Sequence, residues 1–340
     1  MDPLSTRPLG RTGVALTRLG FGGAPLGDLF TVLSDAEAQG AVDAAWDGGI
    51  RYFDTAPWYG RGQSEHRIGR GLYRRPRDGF ALSTKVGRVL RAARDEAAFD
   101  RTIWAGGLPF PHRFDYSYDG VMRAFEDSQQ RLGMSRIDLL LIHDLDLQHH
   151  PSPARVAARL NELATGGWRA LSELKDAGMI RGIGAGINER GMMGRFLDLV
   201  DLDFFLVAMP YTLLDQAVLD DEFPRCVAQG VGFVIGAVFA SGILATGAAP
   251  GAKYAYADAT PEMMARVARM QAVCARHGVP LAAAALQFPF GHPAVASVIP
   301  GALDADQVAR NIASFRVEIP PALWAELKRQ GLLREDAPTP

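Results

Sequence analysis

The sequence predicts an α/β chain, a single (β/α)8 barrel with an N-terminal β-hairpin and an extra C-terminal helix. Short β-type apolar runs alternate with helical patterns along the 340 residues. Eight such runs occur, each followed by a helical stretch, which is what the barrel requires. No linker, low-complexity tract or internal repeat divides the chain, so one domain is expected over residues 1–340, with about 332–340 as an irregular tail. A doubly wound sheet shares the alternation, and the count of eight favours the barrel.

In chain order, residues 7–16 read as a hairpin around Gly10–Gly13, ahead of the first strand. Strands are expected at Thr17–Phe21, Ile50–Phe53, Phe80–Lys85, Ile137–Ile142, Ile180–Ala185, Phe204–Ala208, Phe233–Gly236 and Val295–Ile299. Helical patterns cover Asp35–Trp46, Tyr118–Leu132, Val156–Asp176, Gln216–Ala228 and Pro261–His277. Several open on caps, such as Ser34 before Glu37 and Asp304 before Gln307, and several close on glycine, such as Gly133 and Gly178. Residues 86–116 form a long connection after the third strand, and residues 320–333 a terminal helix entered at Pro320-Pro321.

Composition narrows the function. With 36 Lys plus Arg against 38 Asp plus Glu the net charge is −2, leaving no basic surplus for nucleic acid. Cys226 and Cys274 sit in no ligand spacing, so no disulfide scaffold and no metal site is expected. No apolar run reaches the roughly 18 residues of a spanning helix. A cytoplasmic enzyme without membrane or nucleic-acid partners is the expectation, and nothing in the sequence fixes its oligomeric state.

In a barrel, side chains at the carboxyl ends of strands share one mouth. There the sequence supplies Asp54 after the second strand, Tyr59 five residues on, Lys85 after the third and His143 after the fourth. A free tyrosine titrates near pH ~10, too high for proton transfer at neutral pH, and a buried lysine beside it favours the phenolate. A carboxylate offsets the burial of that lysine, and an imidazole can orient a substrate oxygen. The set moves a proton at a C–O group but stores no electrons, which calls for a hydride carrier such as a nicotinamide. His149 and His150 are expected as a solvated pair, since no carboxylate or cysteine follows at ligand spacing. His112 belongs to the long third loop, where it either lines a substrate pocket or packs the loop.

At these residues the chain resembles the aldo-keto reductases. The matching pieces are Leu9-Gly10-Arg11-Thr12-Gly13, Gly20-Phe21-Gly22-Gly23, Phe53-Asp54-Thr55-Ala56-Pro57-Trp58-Tyr59-Gly60, Ser64-Glu65, Ser83-Thr84-Lys85, the run ending at His143, and Ile299-Pro300-Gly301-Ala302. The resemblance implies a barrel that binds NAD(P) across its mouth; in keeping with that, Gly182-Ile-Gly184-Ala-Gly186 lacks the third glycine of a Rossmann fingerprint. It implies Tyr59 as general acid/base, Lys85 and Asp54 as its tuners and His143 as the substrate-orienting group. It further implies cofactor contacts at Gly22, Gly23, Asp54, Asn188, Tyr211, Phe239, Ser241, Gly242, Leu244, Gly301, Gln307 and Asn311, and substrate contacts at Trp58, His112 and Met209.

Relatives that use NADPH place Lys or Arg where this chain has Gly301, Leu303 or Gln307. With Asp304 and Asp306 nearby and only Arg310 positive, NAD is expected ahead of NADP. The changes in the middle of the chain resemble the branch of L-fucose and D-threo-aldose 1-dehydrogenases and pyridoxal 4-dehydrogenase, with Met209-Pro210 where aldose enzymes commonly carry Gly-Arg. An aldose 1-dehydrogenase that gives a lactone is the leading expectation. Pyridoxal 4-dehydrogenase and a general aldehyde or ketone reductase are the alternatives in the same fold. A cofactor-binding regulatory subunit with little turnover is the alternative of a different class.

Overall fold

The computed structural model describes residues 1–255 and 257–340. Eight strands form one parallel sheet: β1 (Phe21–Gly22), β2 (Tyr52–Asp54), β3 (Ala81–Val86), β4 (Leu139–Ile142), β5 (Gly182–Ile187), β6 (Phe204–Val207), β7 (Gly232–Ile235) and β8 (Val295–Val298). Each pairs with its neighbour in sequence. Parallel bridges from Leu19 to Val298 and from Gly22 to Gly301 join the last strand to the first and close the barrel. The helices α1 (Asp35–Asp47), α2 (Gln63–Leu72), α3 (Tyr118–Leu132), α4 (Pro153–Glu162), α5 (Trp168–Asp176), α6 (Met192–Leu197), α7 (Glu222–Ala228), α8 (Ile243–Thr246), α9 (Pro261–Arg276), α10 (Leu281–Gln287), α11 (Ala305–Arg316) and α12 (Pro321–Arg329) follow the strands. Among the described residues no helix is long and apolar enough to cross a membrane.

The period of two along each strand sorts the core into two shells. Leu139 and Leu141 point into the barrel with Tyr52, Ala81, Phe204, Leu206 and Val234, while Leu140, Ile142, Phe205 and Val207 face the helices. The antiparallel hairpin Thr6–Pro8 with Ala15–Thr17 adds Leu9, Val14 and Leu16 to the inner shell. The barrel is thus filled at that end, and its polar groups gather at the other. The inward positions of β5 are Gly182, Gly184 and Gly186. A Cβ on Gly184 would lie 2.6 Å from the Phe204 ring, so this run of glycines makes room for an inward phenylalanine.

The expected strands are present with shifted ends, except that Thr17–Phe21 splits into a hairpin strand ending at Thr17 and β1. Gln216–Ala228 is a helix only from Glu222, because a short 3-10 turn, Ala217–Leu219, precedes it. The 86–116 connection carries its own hairpin, Arg88–Leu90 with His112–Phe114. Helices α4 and α5 run together through a π turn at Leu163–Gly167.

Candidate active site

Strand register assembles the site. In β3, Ala81, Ser83 and Lys85 share the inward face; Asp54 pairs with Ser83 across β2–β3 and Lys85 with Leu141 across β3–β4. One residue beyond β4, His143 continues the inward parity of Leu139 and Leu141. Lys85 Nζ donates to Asp54 Oδ2 and to the Thr55 carbonyl, each at 2.7 Å, and both charged side chains are almost fully buried. The other Asp54 oxygen accepts from Ser83 Oγ at 2.7 Å, and Ser83 lies 3.0 Å from Tyr52 OH. A carboxylate paired with lysine only accepts, so the serine proton points to Asp54 and Tyr52 donates to the serine. Burial, and then Asp54, push the Tyr52 phenol well above its ordinary range, which keeps it a donor.

Tyr59 sits on a tight turn after β2 in which Gly60, Arg61 and Gly62 all have positive φ. Lys85 Nζ lies 4.6 Å from the centre of the Tyr59 ring, and the His143 ring meets it edge-on at 5.8 Å. Burial holds His143 well below the usual imidazole range, with Lys85 and Arg88 acting in the same direction and Asp144 against it. The four residues expected to act together are therefore gathered around one phenol. Ser64-Glu65 supports them from α2: Ser64 donates to the Gly23 carbonyl and pairs with Thr55, while Glu65 binds Thr84 and Arg131.

An aromatic wall stands beside the phenol. Trp58 packs against Trp104 (5.6 Å) and His112 (4.8 Å), and Trp104 against Tyr59 (5.8 Å). Two arginines face the Trp58 ring, Arg61 at 4.9 Å and Arg88 at 4.3 Å. Sequence reasoning missed Arg61, Arg88 and Asp144. The available signal was two arginines within three residues of Tyr59 and Lys85. Met209 is half-buried and packs against the outer core.

The expected cofactor contacts divide. After β7, Phe239 leads into Ala240, Ser241 and Gly242, with φ of 48°, 63° and 106°. The Ala240 N–H is spent on the Ala237 carbonyl and the Gly242 N–H on the Phe239 carbonyl, so the turn is closed by its own backbone. A Cβ on Gly242 would meet nothing within 4 Å, so the approach is open. After β8, Gln307 accepts from Leu303 N, Asn311 lies 3.5 Å from the Gly301 carbonyl, and Arg310 is exposed. The open backbone at Gly242 and the polar side chains of Gln307 and Asn311 are compatible with a dinucleotide lying across the mouth.

Other expectations need correction. Tyr211 is fully buried against Phe223 and Phe288, with its hydroxyl unpartnered, because its side chain faces the helices and not the mouth. Leu244 lies in the outer core and its N–H is taken by the Phe239 carbonyl. Gly22 and Gly23 spend their N–H groups on Pro300 and Asp54 carbonyls. A Cβ on Gly22 would lie 2.6 Å from the Ile299 carbonyl oxygen, so close strand approach explains that glycine. Asn188 gives its amide nitrogen to Asp144 (3.0 Å) and Asp146 (3.1 Å), which leaves only its oxygen for a cofactor. His149 and His150 are not a solvated pair. His149 Nδ1 is 2.7 Å from Asp146, and His150 is 3% exposed against Phe114 and Tyr116. The carboxylates that hold this loop precede the histidines instead of following them.

A parallel barrel with a lysine–carboxylate pair under a tyrosine and an imidazole beside it has the groups to move a proton at a C–O centre. The model of the Aldo/keto reductase family matches residues 18–330, and the chain belongs to that family. It is 44% identical to a pyridoxal 4-dehydrogenase of Microbacterium luteolum, over 96% of this chain and 97% of the relative. It is 39% identical to a D-threo-aldose 1-dehydrogenase of Pseudomonas sp, over 99% of each. Among solved structures it is similar to the holo form of an aldo-keto reductase from Bacillus halodurans, with a TM-score of 0.73 and 25% identity over 97% of both chains. The protein is an oxidoreductase acting on CH–OH or carbonyl groups, and membership of the family implies a nicotinamide cofactor.

Proposed function

We propose that this protein oxidises the cyclic hemiacetal of a small aldehyde to a lactone, with NAD as the preferred acceptor and residues 1–340 working as one unit. The observation that carries the reading is Tyr59 flanked by the buried Lys85–Asp54 pair and by His143. When bound, a nicotinamide supplies the hydride acceptor. The Tyr59 oxygen takes the proton of the anomeric hydroxyl as the C–H bond is lost and the carbonyl forms. Lys85 favours the phenolate that receives this proton, and Asp54 offsets the cost of burying the Lys85 ammonium. His143 holds the substrate oxygen by a hydrogen bond. The open turn at Ser241–Gly242 and the side chains of Gln307 and Asn311 would hold the dinucleotide. Gly301 and Leu303 carry no cation and Arg310 is exposed, which supports NAD over a 2′-phosphorylated cofactor.

The aromatic wall reverses the expected order of substrates. Trp58 and His112 are half-buried rings beside the phenol, and a flat, electron-poor pyridine ring stacks well on an indole. Pyridoxal, the substrate named for the 44% identical relative, is therefore placed first. An aldose of the D-threo or L-fucose type stands second, supported by the 39% identical relative. Initial rates of nicotinamide reduction with pyridoxal and with L-fucose, each with NAD and NADP, test both choices. The reading expects pyridoxal with NAD to be fastest. Faster L-fucose turnover restores the aldose assignment, and silence in all four with cofactor binding intact points to carbonyl reduction or a regulatory role.

A further inference from the structure

Arg88 opens the hairpin of the third loop, three residues after Lys85, and is 3% exposed. Its Nη1 lies 2.5 Å from His112 Nε2, and its Nη2 donates to Asp144 Oδ2 at 2.6 Å. The rings of Trp58 and Phe114 face the same guanidinium at 4.3 and 4.4 Å. Asp144 directly follows His143 with a positive φ of 53°, and its Oδ1 lies 3.5 Å from His143 Nε2. One buried arginine thus joins the two imidazoles of the mouth, the first directly and the second through a carboxylate.

The chemistry of these contacts is one-sided. A guanidinium only donates, so His112 Nε2 must carry a lone pair, which leaves the ring neutral with its proton on Nδ1. An unpaired Asp144 beside His143 would draw a second proton onto that ring, and Arg88 neutralises the carboxylate. We propose that Arg88 is a positioning residue that keeps His112 and His143 uncharged, so that both meet the substrate as neutral hydrogen-bonding groups and Tyr59 is left as the only group that transfers a proton. The inference rests on the assignment of His143 as the substrate-orienting imidazole.

The surroundings support it from every side. His143 is faced by Lys85 from β3, by Arg88 from the hairpin, by the Tyr59 ring and by Asp144 and His149 of its own loop. Of these only Asp144 favours the charged ring. His112 is faced by Arg88, Arg61, His149 and Asp144. Burial first, then the two arginines, push His112 down to about 3.

The test is histidine titration by NMR in the full-length chain, together with the pH profile of kcat/KM, for the wild type, Arg88→Gln, Arg88→Lys and the Arg88→Gln/Asp144→Asn pair. In the wild type neither imidazole titrates between about pH 5 and pH 9. Arg88→Gln leaves the Asp144 carboxylate without its buried countercharge, so His143 becomes titratable and kcat/KM falls about tenfold per pH unit below its new pKa. Arg88→Lys keeps the charge and returns the profile to the wild-type shape, at a lower rate because the fork is lost. Should Arg88→Gln fail to fold, the double variant removes the stranded charge; there His143 stays neutral and His112, freed from its donor, titrates at higher pH than in the wild type. Wild-type titrations and an unchanged profile in a folded Arg88→Gln, or an unmoved His112 in the double variant, would overturn the proposal. The NMR readout needs no turnover, so a wrong substrate assignment leaves it standing and the two readings can fail separately.

Discussion

The turns after β2 and β7 follow the same backbone path on different parts of the barrel mouth. Gly60, Arg61 and Gly62 have φ of 62°, 57° and 100°, and Ala240, Ser241 and Gly242 have 48°, 63° and 106°. Each turn then enters a helix, ten residues of α2 in the first case and four residues of α8 in the second. The side chains at matching places differ. Tyr59 and the buried Arg61 stand in the first turn where Phe239 and the half-buried Ser241 stand in the second. The first turn also has no room at its opening residue, because a Cβ on Gly60 would lie 2.5 Å from Gly27 Cα. The second accepts alanine there. One backbone device thus presents the Tyr59 phenol on one side of the mouth and an open turn ending in Gly242 on the other. Glycine is demanded at position 60 by contact more than by φ.

That contrast sets the sizes of several effects. The largest is expected on the catalytic side. Lys85→Met strands the Asp54 carboxylate in the interior, and should cost about 3–5 kcal/mol of stability and abolish turnover; urea denaturation and initial rates read the two losses. Next, Gly60→Ala should lower the denaturation midpoint by an amount worth about 1–3 kcal/mol, from overpacking against Gly27. Ala240→Gly, at the matching place, should stay within about 1 kcal/mol of the wild type, since relief of the left-handed strain is offset by backbone entropy. Equal losses at both places would show that φ and not contact governs the turn.

On the cofactor side, Leu303→Arg should raise the preference for NADP over NAD about tenfold, the size of one added phosphate contact. Competition between the two cofactors in initial-rate assays measures it. An unchanged ratio would mean that the 2′ position of the ribose lies elsewhere. The smallest effect concerns His292, which packs against Tyr211, Phe223 and Phe233 and accepts the Ala294 N–H at Nδ1. Burial pushes this imidazole down to about 4. The unfolded chain, with its imidazole near 6.5, therefore binds the extra proton more readily between those values. The contribution is present above about pH 6.5 and is lost as pH falls towards 4. Urea midpoints at both ends of that window should differ less in His292→Asn than in the wild type.

The division between the two turns also explains what could be read in advance. Asp54, Lys85 and His143 were legible because a period of two carries the inward face of β2, β3 and β4 to their ends, where polar residues break apolar runs. Tyr59 was legible only as part of the motif that contains it, since the left-handed turn that aims it depends on Gly27 packing. Tyr211 was misread because Tyr-Thr-Leu-Leu carries no sign of direction. Counted from the inward Phe204, its odd step places it towards the helices. Arg88 stayed hidden because its partners, His112 and Asp144, are 24 and 56 residues away in sequence. The hairpin that brings His112 back is joined by more than twenty residues, so no short turn marks its pairing. Local pattern reports strands and their faces; a buried charge network is set by which loops fold over which ends.

The central claim is that Tyr59 takes the substrate proton during hydride transfer. Single-turnover reduction of NAD by pyridoxal, measured in the wild type and in Tyr59→Phe with cofactor binding followed separately by fluorescence, tests it most directly. The account predicts that the variant binds the cofactor as the wild type does and transfers hydride roughly a hundredfold or more slowly. Hydride transfer at the wild-type rate in a folded, cofactor-bound Tyr59→Phe would contradict it.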